Sequence, residues 1–348
     1  MAYKDDIYNV ATLDLPWDKL SGCNILITGA TGLIGSCFVE ILMTHPNKDY
    51  HVYASGRNEK RAMARFKNYI NDAAFHFIKY DVLDSLQSNV DFHYIMHAAS
   101  NASPNFFVSY PVEIIKSNVY GVCNLIDYGK EHGLKRFLYV STGEVYGEGD
   151  GRVFTEDYNG YVNLTNPRSC YPSSKRAAET LCVSYGAEYN VDTVIARLSH
   201  TYGPYFTESD NRVFAQLIRD VIAGQNIVMK SNGEQYRSWC YVVDCASALL
   251  YILLKGENMQ AYNVADESSN ITIKELADLV AEIGNQKVVF NIPSCAEKAG
   301  FNVVTKSIFS VEKLKSLGWN IHGNMKDKMI STIAEMEDIY MDKVFIKK

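Results

Sequence analysis

The stretch Thr28-Gly29-Ala30-Thr31-Gly32-Leu33-Ile34-Gly35 decides how the chain is read. It follows Asn24-Ile25-Leu26-Ile27, a short apolar run suited to a strand buried on both faces. It precedes a segment to Met43 with apolar residues at helical spacing, which stops before His45-Pro46. Glycines at a strand-to-helix junction have separate uses. Gly29 permits the tight turn, Gly32 lets a pyrophosphate approach the backbone, and Gly35 lets helix and strand pack closely. The following helix N-terminus offers free N–H groups and a positive dipole end to phosphate. A dinucleotide site is therefore expected at Gly29, Thr31, Gly32, Leu33, Ile34 and Gly35.

Working outward, the pattern repeats. Strands are predicted at His51–Ser55, Phe75–Tyr80, Tyr94–Ala98, Arg136–Ser141 and Thr193–Leu198. Helices are predicted at Asn58–Asn71, near Pro111–His132 and from Tyr171. Strands alternating with helices at this interval imply an α/β fold, a Rossmann-type doubly wound parallel sheet. From about His200 the pattern loosens, with helical segments near Val213–Ala223 and Val243–Leu254, and a helix from Lys274 after Ile271-Thr272-Ile273. With no repeat and no low-complexity linker, two interwoven lobes are expected. Residues 1–199, with 241–262 returning, form the cofactor domain; 200–240 and 263–348 form a smaller, interleaved C-terminal α/β substrate lobe.

Composition limits the function classes. The 348 residues carry a net charge of -6 and are 47% hydrophobic, an ordinary globular balance with length for two domains. No run approaches the roughly 20 apolar residues of a membrane span. The opening MAYKDDIYNVATLDLPWDKL lacks the basic and apolar regions of a secretory signal. The 8 cysteines form no C-x-x-C pair, and the histidines show no metal-ligand spacing. A cytoplasmic protein with reduced thiols and no metal is expected. A mildly acidic chain without a basic block argues against nucleic-acid binding, though not against a phosphorylated small ligand.

The end of the second strand reads Ala54-Ser55-Gly56-Arg57-Asn58, with no acid before Glu59. An NAD site usually places Asp or Glu on the adenosine ribose about 20 residues after the glycines. Arg57 suits a 2′-phosphate instead and inclines the reading slightly to NADP; the cofactor is left open as NAD or NADP. Asp81-Val82, after the third strand, is expected at the adenine, with a turn-capping role for Asp81 as the alternative. Tyr171-Pro172-Ser173-Ser174-Lys175 sets a phenol and an ammonium one helical turn apart. That spacing lets Lys175 lower the phenol pKa towards neutrality, so that a tyrosinate can take a hydroxyl proton while hydride leaves the same carbon. Ser141-Thr142, at a strand end, suits a hydroxyl donor to the reacting oxygen; Asn118 is expected to orient a water or the lysine.

These features sit in longer segments: TGATGLIGS, HAASNASPNFFVSYP, STGEVYGE, NPRSCYPSSKRAAETLC, RLSHTYGP, DNRVFAQLIRDVIAG, EQYRSWCYVVD and YNVADESSNITIKELA. In this order the chain resembles the extended short-chain dehydrogenase/reductase superfamily, the nucleotide-sugar epimerases, dehydratases and decarboxylases. Within it the chain looks most like the UDP-glucuronate decarboxylases. The resemblance implies that Tyr171 is the catalytic base and acid, that Lys175 holds its pKa and binds the nicotinamide ribose, and that Thr142 bonds the sugar hydroxyl. It implies a role for Glu144, as C5 base in dehydratases or as a positioning group in decarboxylases. Ala98, Ala99 and Asn118 would lie along the cofactor; Ser100, Gly143, His200, Arg212 and Arg237 would line the nucleotide-sugar site. Helices near 111–132 and 171–189 would form a homodimer interface.

Two departures stand out. Gly143 replaces the Ser usual in decarboxylases and the Asp of many dehydratases, and His200 replaces an Asn near the substrate phosphates. The expected reaction is NAD(P)-dependent modification of a nucleotide sugar through a 4-ketone, as a UDP-glucuronate decarboxylase-like lyase. The alternatives are a 4,6-dehydratase, a 4-epimerase, or a non-catalytic dinucleotide-binding protein on the same fold.

Overall fold

A computed structural model of the chain describes residues 2–207, 210–292 and 305–346. The strands are β1 (Cys23–Thr28), β2 (Tyr50–Gly56), β3 (Phe75–Lys79), β4 (Tyr94–His97), β5 (Arg136–Thr142), β6 (Thr193–Leu198), β7 (His200–Tyr202), β8 (Ile227–Met229), β9 (Tyr236–Tyr241), β10 (Gln260–Val264), β11 (Asp266–Thr272), β12 (Val288–Phe290) and β13 (Lys306–Ser307). The helices are α1 (Tyr3–Ala11), α2 (Leu33–Thr44), α3 (Glu59–Arg65), α4 (Pro104–Ser109), α5 (Pro111–Glu131), α6 (Cys170–Tyr189), α7 (Val213–Ile222), α8 (Val242–Lys255), α9 (Ile273–Ile283), α10 (Glu312–Lys315) and α11 (Met325–Ile346).

Seven strands form one parallel sheet in the order β10-β6-β5-β4-β1-β2-β3. Successive side chains of a strand point to opposite faces, and the sequence of β1 fills both. Ile25 and Ile27 enter one core with α2 and α8, whereas Leu26 enters another with residues of α5 and α6. The fold is therefore the doubly wound Rossmann type that the alternation implied. Its strand order reverses between β1 and β4, and ligands bind such sheets outside the carboxyl ends of the strands at that switch. The glycine turn after β1, Ala98 after β4 and Thr142 at the end of β5 all meet there.

A second sheet, β11-β9-β13 with β7 beside β9, covers this end, and β8 pairs with β12. The C-terminal helix α11 is tied to α8 by a buried ion pair, Lys328 Nζ to Asp244 Oδ2 at 2.7 Å. One expected boundary moved, and one helix was not expected. The helix predicted over 58–71 ends at Arg65, because Phe66 turns into the core and the chain continues in hydrogen-bonded turns from Tyr69 to Phe66 and Asp72 to Tyr69. The polar opening contains α1, held by the burial of Tyr3, Ile7 and Ala11. Among the described residues no helix is long and apolar enough to cross a membrane, and no cluster of His, Cys, Asp and Glu has metal-binding geometry. The cysteines there are free thiols, Cys295 lying outside the described residues.

Candidate active site

The glycine turn is built against a neighbouring backbone. Gly29 adopts φ +65, and a Cβ there would lie 2.7 Å from Ala98 O and 2.8 Å from Ala99 Cα. At Gly35 a Cβ would lie 2.4 Å from Gly29 O. Gly32 differs: its nearest neighbour would be Gly29 O at 3.2 Å, so its open side faces the crevice. Gly32 is also the N-cap of α2, and no side chain caps that helix. Leu33 and Ile34 thus open a helix whose first N–H groups have no side-chain acceptor, which fits a diphosphate. Thr28 and His97 share a hydrogen bond of 2.7 Å that locks the ends of β1 and β4 together. Burial, then the nearby Lys175, pushes the His97 imidazole down to about 3, so it is neutral.

At the adenosine side, Arg57 is mostly exposed and lies 3.6 Å from Asp81 Oδ2. Asp81 also accepts from the Leu83 N–H at 3.1 Å, the turn-capping role foreseen as the alternative. Val82 is buried, and its carbonyl accepts from Asn124. Sequence reasoning missed Arg61, which reaches from α3 to donate to Thr31 O at 2.6 Å and so braces the glycine turn.

Tyr171 and Lys175 lie in the first turns of α6, beneath the end of β5, and both are buried. The Thr142 hydroxyl sits beside the Tyr171 phenol, where it favours the ionised form, and it accepts from the Glu144 N–H at 3.3 Å. Lys175 Nζ donates to Val140 O at 2.9 Å, with its charge 4.6 Å from the Tyr139 ring centroid. Burial pushes the Lys175 ammonium down to about 7, with Glu179 acting in the opposite sense. The phenol departs from expectation. Burial, then the charge of Glu144, raises the Tyr171 pKa above its ordinary value, against the Thr142 bond and the charges of Arg212 and Arg168. Lys175 is not among these influences; its ammonium is turned to Val140 O and lies 5.9 Å from the ring centroid.

Of the two partners expected for Asn118, a water or the lysine, the second is excluded. Its amide does not reach the lysine: Ser100 Oγ donates to its Oδ1 at 2.8 Å, and its Nδ2 donates to Ser174 Oγ at 2.9 Å. Ser174 in turn donates to Cys170 O at 2.6 Å, so a relay runs from the half-buried Ser100 through the buried Asn118 into α6.

The substrate side carries positive charge. Glu144 accepts two bonds from Arg168, each of 2.9 Å, and Arg168 was not singled out from the sequence. Its signal was a cation three residues before the tyrosine, in the turn that launches α6. Arg237 is buried on β9; burial lowers its pKa to about 10, and Glu144 opposes that shift. Arg212 is forked onto Asp210, with Nη2 to Oδ2 at 2.5 Å. His200 keeps part of its surface exposed; burial, then the charges of Arg237 and Arg212, lowers its imidazole pKa. Gly143, between Thr142 and Glu144, has the Phe309 ring against its α-carbon.

Comparison with known proteins agrees with this geometry. The model of the NAD dependent epimerase/dehydratase family matches residues 25–265. A UDP-glucuronic acid decarboxylase of Arabidopsis thaliana is 36% identical over 266 residues, covering 76% of this chain and 75% of its own. Among solved structures, the Thermotoga maritima UDP-glucose 4-epimerase with UDP-glucose has TM-score 0.78 at 24% identity, covering 91% of this chain and 99% of its own. A Bacillus anthracis dTDP-glucose 4,6-dehydratase in complex with NAD has TM-score 0.77 at 21% identity, covering 91% and 97%. The chain belongs to the NAD-dependent epimerase/dehydratase family.

Proposed function

We propose that the protein is an NAD-dependent nucleotide-sugar lyase that works through a 4-keto sugar and decarboxylates a UDP-glucuronate-like substrate. One observation carries the reading: the buried Tyr171 and Lys175 with Thr142, half-buried, beside the phenol, and the forked Glu144–Arg168 pair near them. Gly29, Thr31, Gly32, Leu33, Ile34 and Gly35 would hold the cofactor diphosphate, with Ala98 and Ala99 alongside and Asp81 and Val82 at the adenine. Bound NAD supplies a reversible hydride acceptor at sugar C4. The family match favours NAD over NADP, and Asp81 already offsets the charge of Arg57.

Tyr171 must be ionised to take the C4 hydroxyl proton while Thr142 holds the oxygen, a state that Thr142, Arg212 and Arg168 favour, and it later returns the proton. Lys175, Asn118 and Ser100 hold the tyrosine helix and the cofactor ribose in register. Arg237, Arg212 and His200 line the diphosphate and sugar. A C4 ketone next to C5 makes a C5 carboxylate a β-keto acid, which loses carbon dioxide with little further help. Identity of 36% to a UDP-glucuronic acid decarboxylase supports this outcome over dehydration or epimerisation. The lobe division at residue 200, with the 241–262 segment returning to the cofactor lobe, and a cytoplasmic location belong to the same reading.

The test is incubation with UDP-, dTDP-, GDP- and CDP-sugars and NAD, read by mass. Loss of carbon dioxide from UDP-glucuronate is expected. Inertness towards it, with water loss or unchanged mass on another sugar, would replace this reaction with dehydration or epimerisation. A homodimer through α5 and α6 is part of the reading: the two helices pack on each other and leave Ile115, Tyr120 and Val183 exposed. Sedimentation at micromolar concentration should show a dimer, and Tyr120→Glu with Val183→Glu should shift it towards monomer.

A further inference from the structure

The place that a side chain at position 143 would take is filled from a distant part of the chain. A Cβ on Gly143 would lie 2.1 Å from Phe309 Cζ and 2.6 Å from Cε1. Backbone geometry does not demand glycine, since Gly143 opens its turn with φ outside the left-handed region. The ring does. Phe309 is buried against Tyr146 and Phe154, with ring centroids 5.6 and 5.7 Å away. Its backbone is clamped on both sides: the Phe309 N–H donates to Ser238 Oγ at 3.1 Å, the Phe154 N–H to Ile308 O at 2.7 Å, and the Ser310 N–H to Phe154 O at 2.9 Å. An aromatic side chain held this way cannot swing aside without breaking packing and strand-like pairing. Ser238 follows Arg237 on β9, so Phe309 is a wedge between that strand and the loop that carries Thr142 and Glu144.

We infer that Phe309 is a specificity-determining residue: it keeps position 143 free of any proton donor and so confines the site to reactions that expel no hydroxyl group. This rests on the reading that Thr142, Glu144 and Tyr171 surround C4 and C5 of a sugar. From a 4-keto sugar with a C5 carboxylate, the bond from C5 to the carboxyl carbon breaks and its electron pair enters the C4 ketone as an enolate. Carbon dioxide leaves, and C5 then takes one proton; no acid is needed at the departing group. From a 4-keto sugar with CH2OH, a base takes the C5 proton, the C6–O bond breaks, and the leaving oxygen must receive a proton. The C–H edge of Phe309 supplies none, and it blocks the side chain that would.

The test is a cycle of wild type, Gly143→Asp, Phe309→Ala and Gly143→Asp/Phe309→Ala. Each is read by thermal unfolding and by product mass from a nucleotide uronate and a nucleotide hexose. Gly143→Asp alone should lower Tm, and the added Phe309→Ala should recover part of that loss. Wild type should release water from the hexose only at the background rate seen without enzyme; the double variant should release it on the order of a hundredfold above that background, the size of a general-acid contribution. Additive Tm effects, a double variant with the wild-type product spectrum, or wild-type dehydration of the hexose would each overturn the inference. If wild type transforms neither sugar, the proposed reaction fails, whereas the Tm cycle needs no substrate and still decides whether the ring excludes a side chain at 143.

Discussion

Arg168 holds Glu144 by a two-pronged bond, Nη1 to Oε2 and Nη2 to Oε1, each 2.9 Å. The same guanidinium lies 4.7 Å from the Phe107 ring centroid, and Phe107 stacks on Tyr171 at 4.4 Å. One arginine thus sets the carboxylate and, through an aromatic ring, the wall behind the phenol. A fork fixes the plane of a carboxylate as well as its charge, which an ammonium cannot do. Arg168→Ala should lower kcat on the order of a hundredfold, the cost of a small misplacement of a reacting group. Arg168→Lys should recover only part of the loss. Steady-state kinetics should show the change in kcat, with KM for the nucleotide sugar moving little.

Tyr171→Phe retains the stack on Phe107 and removes only the hydroxyl that Thr142 holds. Its fold and cofactor affinity should match the wild type, while turnover falls by roughly a hundredfold to ten-thousandfold, the range of general acid–base contributions. Unchanged turnover in a folded Tyr171→Phe protein would remove the tyrosine from the mechanism.

Gly32 and Gly29 should separate binding from folding. A methyl at Gly32 meets only Gly29 O, tightly at 3.2 Å, at the position where the proposed site brings a pyrophosphate to the backbone. Gly32→Ala should therefore unfold close to the wild-type temperature and weaken NAD binding by about tenfold, or roughly 1.4 kcal/mol. Gly29→Ala must adopt φ +65 and press on Ala98 O, so it should lose stability as well. Calorimetric titration with NAD and thermal unfolding of both variants measure this contrast.

Lys175 carries a stability cost that depends on pH. Its folded pKa, near 7, lies below the ordinary lysine value because burial disfavours the ammonium. The cost is full below about pH 7, where both folded and unfolded states are protonated. It is relieved as pH rises towards the unfolded value of about 10.4, because the unfolded chain then binds more protons. Lys175→Met should therefore be inactive yet unfold at a higher temperature than wild type at pH 6. The gap should narrow as pH rises from 7 to 9, and a pH-independent gap would contradict the buried-ammonium account.

Much of the site was readable because its chemistry is local. The glycine turn, Tyr171 and Lys175 each depend on spacings within one turn or one helix, and the apolar runs on either side state which element they occupy. Lobe closure, partner choice and ring packing are not local. Nothing in the spacing of Asn118 showed that its amide would be taken up by Ser100 and Ser174 instead of the lysine. Nor did the spacing of Tyr171 and Lys175 reveal that the ammonium would turn to Val140 O, leaving burial and Glu144 to raise the phenol.

By itself, the sequence determined the class of fold and the glycine turn between its first strand and the next helix. Alternating strand and helix periods admit few packings, and glycine at three positions answers one steric demand. Only the tertiary structure decided what surrounds Gly143 and Glu144. Phe309, Arg168 and Arg237 come from separate segments, and they meet at Gly143 and Glu144 because β9, the start of α6 and the end of β5 converge on one edge of the sheet. Long-range packing of that kind leaves no periodic trace in a chain, since it depends on which surfaces the folded elements bring together.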